Sequence, residues 1–197
     1  MSKARVPRLV LASGSRWRAA LLERFGLPFE MLSPEVDEAA LPGEAPADMV
    51  ARLARAKAEA VARQRPESIV IGSDQVAELD GRAMGKPGGR DAAIAQLEAS
   101  SGRSVRFHTG VHVLAPGMPA GPTHVDCTEV RFRRLSRDEI LRYLDREQPW
   151  DCAGSFRCEA LGITLFERVD STDPTALVGL PLIATAALLR AAGLELP

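Results

Sequence analysis

Three β-branched residues in a row, Ile69-Val70-Ile71, open a stretch that continues through Asp80-Gly81 to Gly85-Lys86-Pro87. An apolar run without polar alternation predicts a strand buried on both faces, and such a strand needs helices above and below it. This constrains the chain to an α/β fold. The run gives way to Gly72-Ser73-Asp74-Gln75, where the strand is expected to stop. Open α/β sheets bind ligands outside the carboxyl ends of their strands, which makes Asp74 the first candidate site residue. The Asp80-Gly81 pair predicts a tight hairpin that brings Lys86 back towards Asp74. An ordinary hairpin with a solvated Asp and Lys fits this stretch alone equally well.

Residues 9–12 predict a second buried strand, followed by Ser13-Gly14-Ser15 and a helix from near Trp17. A strand, a polar turn and a helix in that order aim backbone N–H groups at an anion, although neither GxxxxGK nor GxGxxG spacing is present. The apolar stripe Leu21, Leu22, Phe25 leads back onto Arg18. A charge on that face calls for an anionic partner, or for a side chain that snorkels to solvent. Residues 29–32 predict an edge strand, and Glu35, Asp37 and Glu38 form an acidic loop, either solvated or suited to Mg²⁺. A helix over 46–64 places Val50, Leu53, Ala54 and Val61 on one face with Lys57 among them. Two cations on apolar helix faces favour a phosphate site.

Further on, 91–100 reads as a helix, and 103–114 and 124–132 read as strands of an extended hairpin projecting from the α/β core. Ser136 and Glu139 make a capping box for a helix to about residue 146. Residues 150–159 read as a shaped loop and 163–169 as a strand, and 173–181 lead into a last helix over 182–192. With no repeat or linker, one domain over 1–197 is expected.

Lys and Arg total 25 against 26 Asp and Glu, which argues against binding duplex nucleic acid through a phosphate-neutralising surface. No apolar run nears the ~18 residues of a membrane span, and the basic N-terminus lacks the apolar core of a signal peptide. A cytoplasmic chain with reduced Cys127, Cys152 and Cys158 is expected. His108 and His112 stand four apart without the glutamate of a zinc motif, and are read as structural.

The ordered set Ser13-x-Ser15-x-x-Arg18, Glu38, Lys57, Gly72-Ser73-Asp74, Gly85-Lys86-Pro87, Ala153-Gly154-Ser155 and Leu177-Val-Gly-Leu-Pro181 resembles the Maf family of nucleotide pyrophosphatases. The resemblance implies a Maf/ITPase-like mixed twisted sheet flanked by helices, with an extended β-hairpin lobe. It also implies a metal-dependent hydrolase that cleaves a nucleoside triphosphate between its α and β phosphates. In that case Ser13, Ser15, Arg18, Lys57 and Lys86 hold the phosphates, Glu38 and Asp74 hold Mg²⁺ or Mn²⁺, and Asp74 also positions or deprotonates the attacking water. A homodimer is implied as well.

Within the family, Trp17, Gln75 and Glu159 resemble the branch acting on 7-methyl-GTP, where the dTTP and UTP branch resembles Arg, Thr and Gln. The indole face suits a cationic methylated base, and Glu159 can accept from a guanine edge. Arg16, Cys158 and Thr175 depart from the proline, serine and asparagine frequent in the family. The alternatives are a dTTP/UTP-type pyrophosphatase and a nucleotide-binding regulator without turnover.

Overall fold

The computed structural model describes residues 8–118 and 120–197; the basic N-terminal segment and Pro119 of the 115–122 loop lie outside the described residues. One mixed sheet runs in the order β2-β1-β3-β5-β6-β7, with β4 paired to β3 alone. The strands are β1 (Arg8–Ala12), β2 (Phe29–Met31), β3 (Ser68–Leu79), β4 (Arg82–Met84), β5 (Ser104–Leu114), β6 (Thr123–Phe132) and β7 (Phe166–Asp170). Among the described residues only the β1 pairings, to β2 and β3, are parallel. β3, β5 and β6 run antiparallel to one another.

β3 does not stop at Ile71 as the sequence suggests; it continues for 12 residues and carries Asp74 and Gln75 in its interior. The reason is its partner. β5 pairs with β3 from Val70 to Glu78, so the backbone of the polar stretch is satisfied by a ladder and polar side chains need not end the strand. The strand that ends is β1, whose last pair is Ala12 with Gly72. The crevice expected at the end of β3 therefore opens beside it, where β1 stops. Asp80 (φ 53°) and Gly81 (φ 76°) make the tight turn that the Asp-Gly pair predicts. The long β5–β6 hairpin is continuous with the sheet, and its outer half forms the lobe beyond β1.

Alternation along the strands divides the core. Leu9, Leu11, Ile69 and Ile71 pack with α1 (Arg16–Leu22) and α5 (Leu182–Ala191) on one face; Val10, Ala12 and Val70 pack with α2 (Pro46–Ala62) on the other. Two glycines set how closely α2 approaches the sheet. A Cβ on Gly72 would lie 2.1 Å from the Ala54 carbonyl oxygen, and one on Gly110 would lie 2.5 Å from that of Val50. The outer lobe packs Phe107, Phe132 and Leu144 between the sheet, α3 (Arg90–Ser100) and α4 (Arg137–Glu147). Ser136 and Glu139 form the expected capping box on α4.

The strand expected over 163–169 is a strand only from Phe166. Leu161–Leu165 is a 3-10 turn, tightened where Gly162 lies so close to Arg157 that a Cβ would be 2.3 Å from its carbonyl oxygen. His108 and His112 are β5 residues bonded to Glu78 (2.6 Å) and Thr123 (2.7 Å), in keeping with structural roles. Among the described residues no helix is long and apolar enough to cross a membrane.

Candidate active site

A cavity of about 500 Å³ opens where β1 ends, walled by the 13–18 segment, Glu38, Lys57, Lys86, the 151–159 loop and the 177–179 turn. The expected site residues Ser13, Ser15, Trp17, Arg18, Glu38, Lys57, Gln75, Lys86 and Glu159 all line it. Asp74 stands immediately behind, hydrogen-bonded to Lys57.

On the α2 face of β3, Lys57 fills the apolar-face position that patterning singled out, and the approach allowed by Gly72 and Gly110 holds it over the sheet. Its Nζ lies 2.6 Å from Asp74 Oδ1 and 2.5 Å from Glu38 Oε1. The amine is thus a bridge between the two acidic residues of the site. Burial opposes ionisation of Glu38, but the hydrogen bond to Lys57 and the charges of Lys57, Lys86 and Arg18 outweigh it and hold the carboxyl below its ordinary range. Two carboxylates converging on one cation also have the donor chemistry of a hard-metal site.

Arg18 has no carboxylate partner among the described residues; its Nε donates to the Gly179 carbonyl at 2.8 Å and its Nη1 to Ser13 Oγ at 3.4 Å. The protein thus gives it neutral acceptors in place of a carboxylate, which leaves a bound phosphate as the anion expected there. Burial lowers its proton affinity against the pull of Asp74 and Glu38, which makes it a guanidinium short of negative charge. Ser15 caps α1 by accepting from the Arg18 amide.

Gln75, the next residue along β3, points to the opposite face. Its amide nitrogen donates to Thr109 Oγ1 (3.0 Å) and to the carbonyls of Ala176 (3.0 Å) and Leu177 (3.1 Å). Alternation on one strand thus sends the acid to the cation side and the amide to the side of Trp17 and the 151–159 loop. Trp17 is half-buried with two guanidiniums over its ring, Arg16 at 4.5 Å and Arg157 at 5.7 Å from the centroid. Glu159 is exposed at the mouth.

The sequence did not single out what fixes the 176–179 carbonyls. Asp173, 3% exposed, accepts from the Thr175 amide (2.9 Å), Thr175 Oγ1 (2.6 Å) and the Ile183 amide (2.7 Å). Gly179 then offers its carbonyl to Arg18 and, at 3.0 Å, to Ser73 Oγ. The signal available was Asp173-Pro-Thr175, an Asp two residues before a hydroxyl, as in side-chain-braced turns.

Residues 8–192 match a family model described as Maf-like protein. A protein of Xanthomonas oryzae pv. oryzae (strain MAFF 311018) named 7-methyl-GTP pyrophosphatase is 57% identical over 192 residues, covering 98% of this chain and 100% of the relative. Relatives of the same name from Aromatoleum aromaticum and Polaromonas sp. are 55% and 51% identical; they cover 98% and 95% of this chain and 100% and 86% of their own lengths.

Proposed function

Because the chain belongs to the Maf-like family, we propose that it is a nucleotide pyrophosphatase hydrolysing 7-methyl-GTP to 7-methyl-GMP and pyrophosphate, a house-cleaning of modified nucleotides. The observation that carries this reading is that β3 presents Gln75 to the cavity on one face and on the other holds Asp74 just behind it, bonded to the cavity residue Lys57. Reaction and base selection can then proceed side by side. The names of the full-length relatives support the same substrate.

In this reading the Ser13 and Ser15 hydroxyls, Arg18 and Lys86 hold the triphosphate, and Lys57 orients Asp74 while offering its charge to the phosphates. Asp74 accepts the proton of the water that attacks the α-phosphorus, the bond to the bridging oxygen breaks, and pyrophosphate leaves against Arg18 and Lys86. Glu38 and Asp74 would hold Mg²⁺ or Mn²⁺, which neutralises charge on the phosphates. Among the described residues no group of three or more His, Cys, Asp or Glu could hold a metal, so the donor set needs phosphate oxygens to complete it. A free small-molecule nucleotide as partner, a cytoplasmic location and a homodimer belong to the same proposal.

Pyrophosphate release from 7-methyl-GTP, GTP, dTTP and UTP with Mg²⁺, Mn²⁺ or chelator tests it. Release is expected to be fastest from 7-methyl-GTP and to be lost with chelator and in Asp74→Asn. Faster turnover of dTTP would move the chain to the pyrimidine type. No release from any of them, or release unaffected by Asp74→Asn, ends the catalytic reading.

A further inference from the structure

A second cavity, of about 200 Å³, opens on the outer lobe against α4 and the 3-10 turn Leu161–Leu165, and it shares no lining residue with the cavity at the end of β1. Three of its lining residues are arginines, Arg133, Arg142 and Arg146, against one carboxylate, Glu139. Arg142 and Arg146 stand four residues apart on α4, a spacing at which like charges repel. The concavity therefore gathers an excess of two positive charges.

The carboxylates that could neutralise them are committed elsewhere. Glu139 takes both Nη groups of Arg133 at 3.3 Å and caps α4 by accepting from the Ser136 amide at 2.8 Å. Asp145 pairs with Arg90 and Glu147 with Arg157, while Arg137, the remaining arginine of α4, pairs with Glu98. Arg142 and Arg146 are exposed and form no ion pair among the described residues; Asp138, one turn before Arg142, makes none with it.

The wall behind them is fixed. Arg133 donates through Nε to the Thr164 carbonyl at 2.8 Å, and each of its Nη groups retains a second N–H. The Tyr143 hydroxyl is occupied by the Arg157 amide at 3.1 Å, so the ring, with Leu161 and Leu165, is an apolar surface. Such a surface keeps competing polar groups away and strengthens an ion's attraction to the guanidiniums. Guanidinium forks match the oxygens of phosphate, and two unneutralised charges suit a dianion better than a carboxylate.

We propose that this cavity is a second, non-catalytic site for a phosphate-class oxyanion, free phosphate or pyrophosphate, gripped by Arg142 and Arg146 against the fixed guanidinium of Arg133. The inference goes beyond the pyrophosphatase reading and does not depend on it.

Tyr143 is the chain's one tyrosine, so an isotopically labelled tyrosine ring reports on this cavity by NMR. Phosphate or pyrophosphate at about 10 mM, without divalent metal, should shift its ring signals with saturation, and chloride at the same ionic strength should not. The anion that half-saturates at the lower concentration identifies the source, and either assignment upholds the site. Arg142→Ala/Arg146→Ala places good helix formers on an exposed face and should abolish the shift, with pyrophosphate release from 7-methyl-GTP kept within about twofold of wild type. No saturable shift in the wild type, an equal shift with chloride, or a shift that persists in the double variant overturns the proposal. Loss of turnover in a folded double variant overturns it too, because the arginines would then serve the cavity at β1. A wild type inactive on 7-methyl-GTP but with a saturable tyrosine shift takes down the functional reading alone.

Discussion

The ammonium of Lys57 lies 2.6 Å from Asp74 Oδ1, with the two residues only 7% and 8% exposed. Removing one member of a buried pair leaves an uncompensated charge, at a cost of about 3–5 kcal/mol. Glu38, the second carboxylate on the same ammonium, is about half exposed, so on loss of the cation it can turn to solvent and add little to that cost. Lys57→Met is therefore expected to lower the unfolding free energy by about 3 kcal/mol in urea. Lys57→Met/Asp74→Leu, which replaces the pair by apolar groups, should regain most of it, and neither protein should release pyrophosphate. A double variant no more stable than the single would mean that the pair is not what stabilises this part of the sheet.

Gln75→Glu tests the base side. Its amide nitrogen faces two carbonyl oxygens and a hydroxyl, so a carboxylate there would set negative charge against the Ala176 and Leu177 carbonyls. A loss of about 2 kcal/mol in stability is expected, together with a fall in the 7-methyl-GTP over UTP ratio of kcat/KM. Asp74 is not altered, so residual turnover should persist. An unchanged ratio would remove Gln75 from base selection.

Much of this site was legible because charges on apolar helix faces are costly and visible in a pattern. Lys57 and Arg18 were both found in that way, yet pattern alone did not identify their partners. Lys57 meets carboxylates 17 and 19 residues away in sequence, whereas Arg18 meets a carbonyl 161 residues away. The continuation of β3 through Asp74 was not legible either, because it depends on β5 arriving alongside. The pairing partner is non-local, and the polar residues that look like a strand end are local. Asp173 stayed hidden for a third reason: two of its three contacts are backbone amides that any sequence supplies, and its contact to the Thr175 hydroxyl is local and reads as an ordinary turn.

Gly72→Ala probes how α2 is set. The added methyl would stand 2.1 Å from the Ala54 carbonyl oxygen, a backbone atom of the helix that bears Lys57. The helix must move outward and take the ammonium from Asp74. A stability loss of about 3 kcal/mol and a loss of kcat well beyond that of a surface substitution are expected. Full activity with an intact fold would show that Lys57 tolerates displacement.

The cavity cysteines should be inert. Burial, reinforced by the charge and hydrogen bond of Glu159, raises the Cys158 thiol to about 12; burial raises Cys152 to about 11 even against the Arg157 hydrogen bond. A raised thiol pKa leaves less thiolate at any pH below it. At pH 8 alkylation of Cys158 by iodoacetamide should run about 1000-fold slower, and of Cys152 about 100-fold slower, than that of a free cysteine. Mass spectrometry of timed aliquots measures both, and rates equal to the free thiol would contradict the burial.

Asp173 carries the most far-reaching prediction, because one turn serves both halves of the site. Its carboxylate fixes the Thr175 and Ile183 amides, and the turn between them presents Ala176 and Leu177 to Gln75 and Gly179 to Arg18 and Ser73. Asp173→Ala removes the brace, which should free Arg18 on the phosphate side and Gln75 on the base side together. The expected result is a raised KM for 7-methyl-GTP and a reduced 7-methyl-GTP over UTP ratio, with a stability loss of about 2–3 kcal/mol for the buried amides left unpaired. Asp173→Asn retains the acceptor for Thr175 but turns a donor on the Ile183 amide, so it should fall between Ala and wild type in all three readouts. A drop in melting temperature with KM and the ratio unchanged would reduce the turn to a brace for α5 alone.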